Sequence, residues 1–255
     1  MNQPTYSVSQ AAKFIGVPAS TLRYWERQGL FSPDRNPGNS YREYSLYELI
    51  AAADISFMRQ LGFSLEEVRR YGQSDVEGME EMLSSAQHSV DERIEELKRM
   101  ARRLEDQRRS CRIAVERKGR PLEASEPDFP MLFAADYARA EHWRFGIEDP
   151  RRYGIMVEKG GFLADGLVLM PGDEEIERAF QDMDVLWVRN PEKAYWCGLL
   201  TVAMNGEDTD AERLFDEAKT LGMDPERVVG RLLVTVPGDN EDRMDVYLAW
   251  VECRV

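Results

Sequence analysis

Ser20, Thr21, Arg23 and Tyr24 place two hydroxyls, a guanidinium and a phenol close together near the start of the chain. Groups of these types hydrogen-bond phosphate oxygens and base edges, so the stretch is a candidate DNA contact. Further on, Tyr41, Arg42 and Tyr44 follow a polar stretch from Asp34 to Ser40. Arg42 suits a bidentate phosphate clamp, and Tyr44 carries a hydroxyl that can reach the same backbone. The competing reading of Tyr41 and Tyr44 is packing of a hairpin against its core.

Two short helices and a tight turn would position the first group. Ser7 is the expected N-cap, Ala11, Ala12 and Ile15 form an apolar stripe, and Gly16 can take positive φ at the helix end. Pro18 lacks an amide proton and suits the first turn of the second helix. Val17 and Leu22 close the core between the helices, which turns Ser20, Thr21, Arg23 and Tyr24 outward. The pattern is a helix-turn-helix. Asn36-Pro37-Gly38-Asn39 is a turn, and alternation on the returning strand puts Arg42 and Tyr44 on one side and Tyr41 on the other. Ser45 and Glu48 form a capping-box pattern. The helix they open has Leu49, Ile50, Ala53, Phe57 and Leu61 as its predicted apolar face, and Gly62 ends it. Ser64 opens the next helix, which carries Val68 and Tyr71.

Residues 5–70 resemble the winged helix-turn-helix head of the MerR family of transcription regulators. The resemblance rests on Gly16-Val17, Thr21-Leu22-Arg23-Tyr24-Trp25-Glu26, Gly29-Leu30, Pro33, Arg35, Tyr41-Arg42-Glu43-Tyr44, Leu49 and Leu61-Gly62-Phe63-Ser64-Leu65-Glu66-Glu67-Val68. It implies double-stranded promoter DNA as partner, with Arg35 and the hairpin wing beside the phosphates. Trp25 stands where the family commonly has tyrosine, which removes a phenolic hydroxyl from that position.

The formal net charge of −14 fits a DNA-binding chain only once it is divided. Residues 1–75 hold 8 basic and 8 acidic side chains, residues 76–120 hold 11 and 10, and residues 121–255 hold 14 and 29. Affinity for DNA depends on local phosphate neutralisation, so the acidic part is expected to lie away from the duplex. No run of apolar residues is long enough to span a membrane, and no leader pattern is present, which predicts a cytoplasmic protein. Three distant cysteines, Cys111, Cys197 and Cys253, argue against a disulfide framework. Thiolate metal sensing needs converging cysteines; Cys111 stands alone, and His88 and His142 are isolated, so no metal or cofactor is expected. Hydrolase and phosphate-loop motifs are absent, and an enzyme is not expected.

Val76 to about Lys118 reads as one long helix with the seam Val76, Met79, Leu83, Ala86, Val90, Ile94, Leu97, Ala101, Leu104, Cys111 and Val115. A narrow seam on so long a helix asks for a partner. The family resemblance implies an antiparallel coiled coil in a homodimer, and hence a pseudo-palindromic DNA site.

Beyond Lys118-Gly119-Arg120-Pro121 the pattern alternates. Strands are expected over Met131–Ala138, Asp165–Met170, Val185–Val188, Ala194–Ala203, Val228–Val236 and Met244–Cys253, the last two joined by the turn Pro237-Gly238-Asp239-Asn240. Helices are expected over Asp149–Lys159, Glu174–Gln181 and Asp208–Leu221. Taken as βαββ twice, this resembles the GyrI-like ligand-binding domain of multidrug-sensing regulators. That resemblance implies a groove between the halves, lined by aromatics. The candidates are Tyr137, Trp143, Trp187, Tyr195, Trp196, Tyr247 and Trp250, which suit a flat or cationic aromatic effector. Tyr195 and Trp196 fall on opposite faces. Arg231 falls where drug-sensing relatives place a carboxylate; in a pocket it would favour an anion or a neutral ring, and otherwise it is a solvated strand residue. Glu252, Asp184 and Glu158 remain sources of negative charge.

The expected architecture is thus multidomain: an all-α winged helix-turn-helix head with a small β-wing (1–75), a long dimerisation helix (76–118), a linker (119–130) and an α+β domain of two βαββ repeats (131–255). The resemblance implies a dimeric regulator, most simply an activator, whose effector distorts promoter DNA so that RNA polymerase engages it. Two alternatives stay open: a C-terminal domain that binds a protein partner, and a ligand-buffering protein with incidental DNA affinity.

Overall fold

The computed structural model describes residues 4–170, 180, 183–203, 208–238 and 243–254. The chain divides into two compact units, residues 1–95 and 96–255.

In the first unit, α1 (Val8–Ile15) is opened by a Ser7 capping box with Gln10 and closed by Gly16 at φ 77°. α2 (Ala19–Arg27) starts directly after Pro18, which is its N-cap. Leu22 and Trp25 face inward onto Ala11, Ala12 and Tyr44. Trp25 is thus a core residue, which is why an indole can replace a phenol there. The wing is small: β1 (Asp34–Arg35) pairs antiparallel with β2 (Arg42–Glu43), matching Asp34 with Glu43 and Arg35 with Arg42. Next come α3 (Leu46–Gln60), with its Ser45–Glu48 capping box, and α4 (Leu65–Tyr71), with a Ser64–Glu67 one.

The buried face of α3 differs from the expected one. Leu49, Ala52, Ile55, Ser56 and Met58 point inward, while Ile50, Phe57 and Leu61 are exposed. The helix carries apolar residues on two sides, so periodicity alone leaves its phase open. α5 runs unbroken from Val76 to Arg117. Its seam residues Val76, Leu83, Val90, Ile94, Leu97, Leu104 and Val115 are exposed in the single chain. Cys111, on the same seam, is exposed as well.

The second unit is built on one eight-stranded antiparallel sheet of order β3-β8-β10-β9-β5-β6-β4-β7. Its elements are β3 (Glu123–Ala124), β4 (Met131–Ala134), α6 (Ala140–Glu148), a 3-10 turn (Pro150–Arg152), β5 (Tyr153–Glu158), β6 (Leu163–Val168), β7 (Val185–Val188), β8 (Ala194–Ala203), α7 (Ala211–Thr220), β9 (Asp224–Pro237) and β10 (Arg243–Arg254).

The expected helix over 149–159 is therefore a correction. Only Pro150–Arg152 turns helically, and Tyr153–Glu158 is a strand between β6 and β9. A strand covered on both faces shows a continuous apolar run instead of alternation, and Gly-Ile-Met-Val is such a run. The helix expected over 174–181, apart from the helical and buried Phe180, and part of the turn over 237–240 lie outside the described residues. The expected linker 119–130 is part of the fold. It supplies β3, and Phe129 is fully buried between Trp187 and Trp250, with ring centroids 5.5 and 5.8 Å away.

Among the described residues two large cores flank the sheet, beside a smaller cluster of Phe133, Leu167, Phe180 and Met183. One face holds Ile155, Val157, Leu200, Leu232 and Val251 under Leu214 and Phe215 of α7. The opposite face holds Phe129, Met156, Trp187, Tyr195, Leu248 and Trp250, with Ile113 and Ala114 from the end of α5. Each fully buried large side chain contributes about 2–3 kcal/mol of transfer free energy.

Candidate functional sites

The first candidate surface is the outer side of α2. Because Leu22 and Trp25 are drawn into the core, Ser20, Arg23, Tyr24 and Arg27 project to solvent on the remaining arc, and Thr21 is half-buried. The Arg27 guanidinium lies 5.8 Å from the Tyr24 ring centroid and steadies it. Arg27 was not among the sequence candidates; its spacing of three and four from Tyr24 and Arg23 is the signal that identifies it.

On the wing, Tyr41 is exposed. Arg35 is exposed too, with Nη1 donating to the Ser40 carbonyl at 3.3 Å. Ser40 takes φ 57°, which folds the tip back on itself. Tyr44 and Arg42 depart from expectation. Tyr44 is fully buried, edge-on to Phe31, and its hydroxyl has no partner among the described residues. Burial, then the charge of Glu26, raises its pKa. A side chain so enclosed does not reach a DNA backbone. Arg42 is half-buried and bonded to Glu26 of α2.

The second candidate site is a groove of about 540 Å³ in the second unit. Tyr137, Trp143, Tyr153 and Tyr247 form its aromatic walls, Asp165 and Asp245 its charged part, and Leu163, Val202 and Leu232 its apolar part. Trp143 projects from α6, and its Nε1 donates to the Tyr137 carbonyl at 2.9 Å. The two rings lie 5.1 Å apart. Thr235 Oγ1 donates to Asp245 Oδ1 at 2.6 Å, and Arg243 also lines the groove. Asp165 is exposed at the mouth of the groove; partial desolvation there, followed by the charge of Asp245, pushes its carboxyl above its ordinary range. Partial desolvation, then the charge of Asp165, pushes the half-exposed Tyr137 phenol up to about 12, and burial, then Asp245, raises Tyr247 as well. The groove is thus an open aromatic cleft that carries two carboxylates and one guanidinium, Arg243.

Of the sequence candidates, Tyr137, Trp143 and Tyr247 meet here. Trp187, Tyr195 and Trp250 do not: they belong to the core on the opposite face of the sheet. There Trp187 Nε1 and the Tyr195 hydroxyl donate to Glu252 at 2.7 and 3.2 Å, and Arg227 stands 3.3 Å from the same carboxylate. Glu252 therefore supplies no charge to the groove. Trp196 falls on the other side of β8 from Tyr195, half-buried against the α7 core.

Arg231 is neither a groove residue nor solvated. It is 5% exposed on the Trp250 side, and it grips Asp128 through Nε and Nη2 at 2.6–3.0 Å. Asp165, Asp245 and Tyr153 were missed by sequence reasoning. The lone acid in the otherwise apolar Leu-Ala-Asp-Gly-Leu-Val of β6 is the signal that marks Asp165. Among the described residues, no group of three or more His, Cys, Asp or Glu converges on a metal-sized point.

Residues 6–75 match the family model described as MerR HTH family regulatory protein, and residues 54–107 match the one described as MerR, DNA binding. The chain is similar to the HTH-type transcriptional regulator HmrR of Rhizobium leguminosarum bv. viciae, with 31% identity over 111 residues, 41% of this chain and 85% of that protein. It is 41% identical over 64 residues to the HTH-type transcriptional activator TipA of Streptomyces coelicolor, which covers 25% of either chain. The HTH-type transcriptional regulator ZntR of Escherichia coli K12 is 28% identical over 105 residues, 41% of this chain and 74% of that protein.

Proposed function

The chain belongs to the MerR family of helix-turn-helix DNA-binding transcription regulators, and from that premise we propose that it acts as a homodimer whose second unit senses a flat aromatic cation. Its relatives are transcriptional regulators, not enzymes. In this reading α2 enters the major groove through Ser20, Thr21, Arg23, Tyr24 and Arg27, and Arg35 and Tyr41 meet phosphates beside it. Two copies pair along the exposed seam of α5, and the two-fold makes the promoter site a pseudo-palindrome.

The observation that carries the effector assignment is the groove itself: four aromatic walls around Asp165 and Asp245. Aromatic faces attract cations, and a bound cation relieves the carboxylate pair. The strand–helix–strand–strand order met twice, in β4-α6-β5-β6 and β8-α7-β9-β10, supports a GyrI-like domain. Effector binding favours one of two dimer arrangements on a promoter whose elements are too widely spaced, and the distorted DNA is then read by RNA polymerase, which makes the protein an activator.

Binding-site selection from a random duplex library supplies the operator. Footprinting with and without tetraphenylphosphonium then tests the reading. A palindromic footprint that gains hypersensitive central positions with the cation is the expected result. A footprint indifferent to every cation tried, or DNA binding without sequence preference, defeats it.

A further inference from the structure

One short stretch of chain joins the groove wall to α5. Trp143 leaves α6 to line the groove, and Tyr153 opens β5 onto the same cavity. Between them, residues 145–152 fold into a compact turn. The Asp149 amide and the Arg152 guanidinium both donate to the Phe145 carbonyl at 3.2 Å, and the Arg152 amide donates to the Asp149 carbonyl at 3.0 Å. Gly146 lies directly against Tyr153: a Cβ at that position would stand 2.0 Å from the ring. Contacts this close tie displacement of Tyr153 or Trp143 to displacement of the turn.

From the outer side of the turn Arg151 reaches the long helix. Its Nη1 stands 2.9 Å from Asp106 of α5, while Nε and Nη2 hold Asp149 at 2.7–3.1 Å. A planar guanidinium bonded on two edges fixes its two carboxylates relative to each other. Neither carboxylate is deeply buried, so the bridge adds little stability. Its effect is geometric.

We propose that Arg151 is a positioning residue through which the state of the groove sets α5, by bridging Asp149 and Asp106. The proposal rests on the groove being the effector site. A ligand pressing on Trp143 or Tyr153 shifts the turn, Arg151 passes the shift to Asp106, and α5 continues from there without a break to Val76.

Amide exchange of the full chain, read by mass spectrometry over residues 100–112 and 145–153, tests the bridge with tetraphenylphosphonium as probe. In the unmodified chain the probe should slow exchange in both stretches. In Asp106→Asn it should bind with unchanged affinity and protect 145–153, while the response at 100–112 falls at least about five-fold, the lower end of typical coupling. Asp106→Glu should restore it.

A response at 100–112 that survives Asp106→Asn overturns the proposal, as does protection confined to 145–153 in the unmodified chain. A second arm needs no ligand. Trp143→Ala should alter exchange at 100–112 in the unmodified background and not in Asp106→Asn, with unchanged exchange in β10 as the control for folding. A probe that protects neither stretch sinks the cation reading of the groove and leaves the Trp143→Ala arm to decide the bridge. Equal responses in the two backgrounds, or none in either, overturn it.

Discussion

Arg42 Nε stands 2.5 Å from Glu26 Oε2, so the wing arginine is bonded to the last turn of α2. It orients the wing against α2, on which the guanidiniums of Arg23 and Arg27 stay exposed. Arg23→Ala should lower the slope of log affinity against log salt by about 0.9, as expected for one lost phosphate contact. Arg42→Ala should change that slope by less than about 0.5. Salt titrations of fluorescence anisotropy separate the two; equal slopes would mean that the Glu26 pair opens on DNA.

Tyr44 sits in the core with a hydroxyl that has no partner among the described residues. Tyr44→Phe should therefore leave DNA affinity unchanged and hold the stability of the head or raise it by up to about 1 kcal/mol. Tyr44→Ala removes the ring and should cost about 3–5 kcal/mol. Denaturant unfolding measures both, and weakened DNA binding by the Phe variant would return the hydroxyl to the interface.

The Asp165 carboxyl is raised by partial desolvation at the groove mouth and then by Asp245, and because the side chain is exposed the effect on stability is small. For a group raised in the folded state, the stabilising contribution is complete below the ordinary Asp value of about 3.9 and is lost as pH rises through the folded value. Asp165→Asn should raise the melting temperature at pH 7 only slightly, solvent screening the exposed charge, and lose that advantage near pH 4. Cation affinity has the opposite slope, because proton and cation compete for the carboxylate. Tetraphenylphosphonium should bind more tightly as pH rises through this range, and Asp165→Asn should flatten the profile and weaken binding about ten-fold. Calorimetry across pH decides; an unchanged profile in the variant would remove Asp165 from the site.

Arg231 is buried with its charge met by Asp128. Asp128→Ala leaves that guanidinium enclosed without its partner and should cost about 2–3 kcal/mol, less than for a fully buried pair because Asp128 is partly exposed. Cation affinity should not change in this variant. A selective loss of affinity with stability intact would place Arg231 in ligand binding after all.

The head is largely legible in sequence because its signals are local: Ser7, Gly16, Ser45 and Ser64 act within a turn or two of where they stand. Arg42 and Tyr44 escape that logic. A two-residue strand is too short for alternation to orient its flanks, so Tyr44 goes to the core while Arg42 bends to Glu26. In the second unit the strands Val185–Val188 and Ala194–Ala203 are legible to the residue. Which aromatics share the groove is not. A register shift opposite Val246 and Tyr247 leaves Leu233 as an extra residue and resets the phase of β9, and the partner of Arg231 lies 103 residues away. Face assignment there is settled by long-range pairing, which no local pattern encodes.

The segment 119–130 has a mechanical consequence. Arg117 donates to the Cys197 carbonyl at 3.4 Å, the Ser125 amide to the Tyr195 carbonyl at 3.1 Å, and Asp128 and Phe129 pin the segment across β9 and β10. A slack tether would transmit only tension. Here α5 ends in a clamp, so its last turn and the sheet are bound to move as one body.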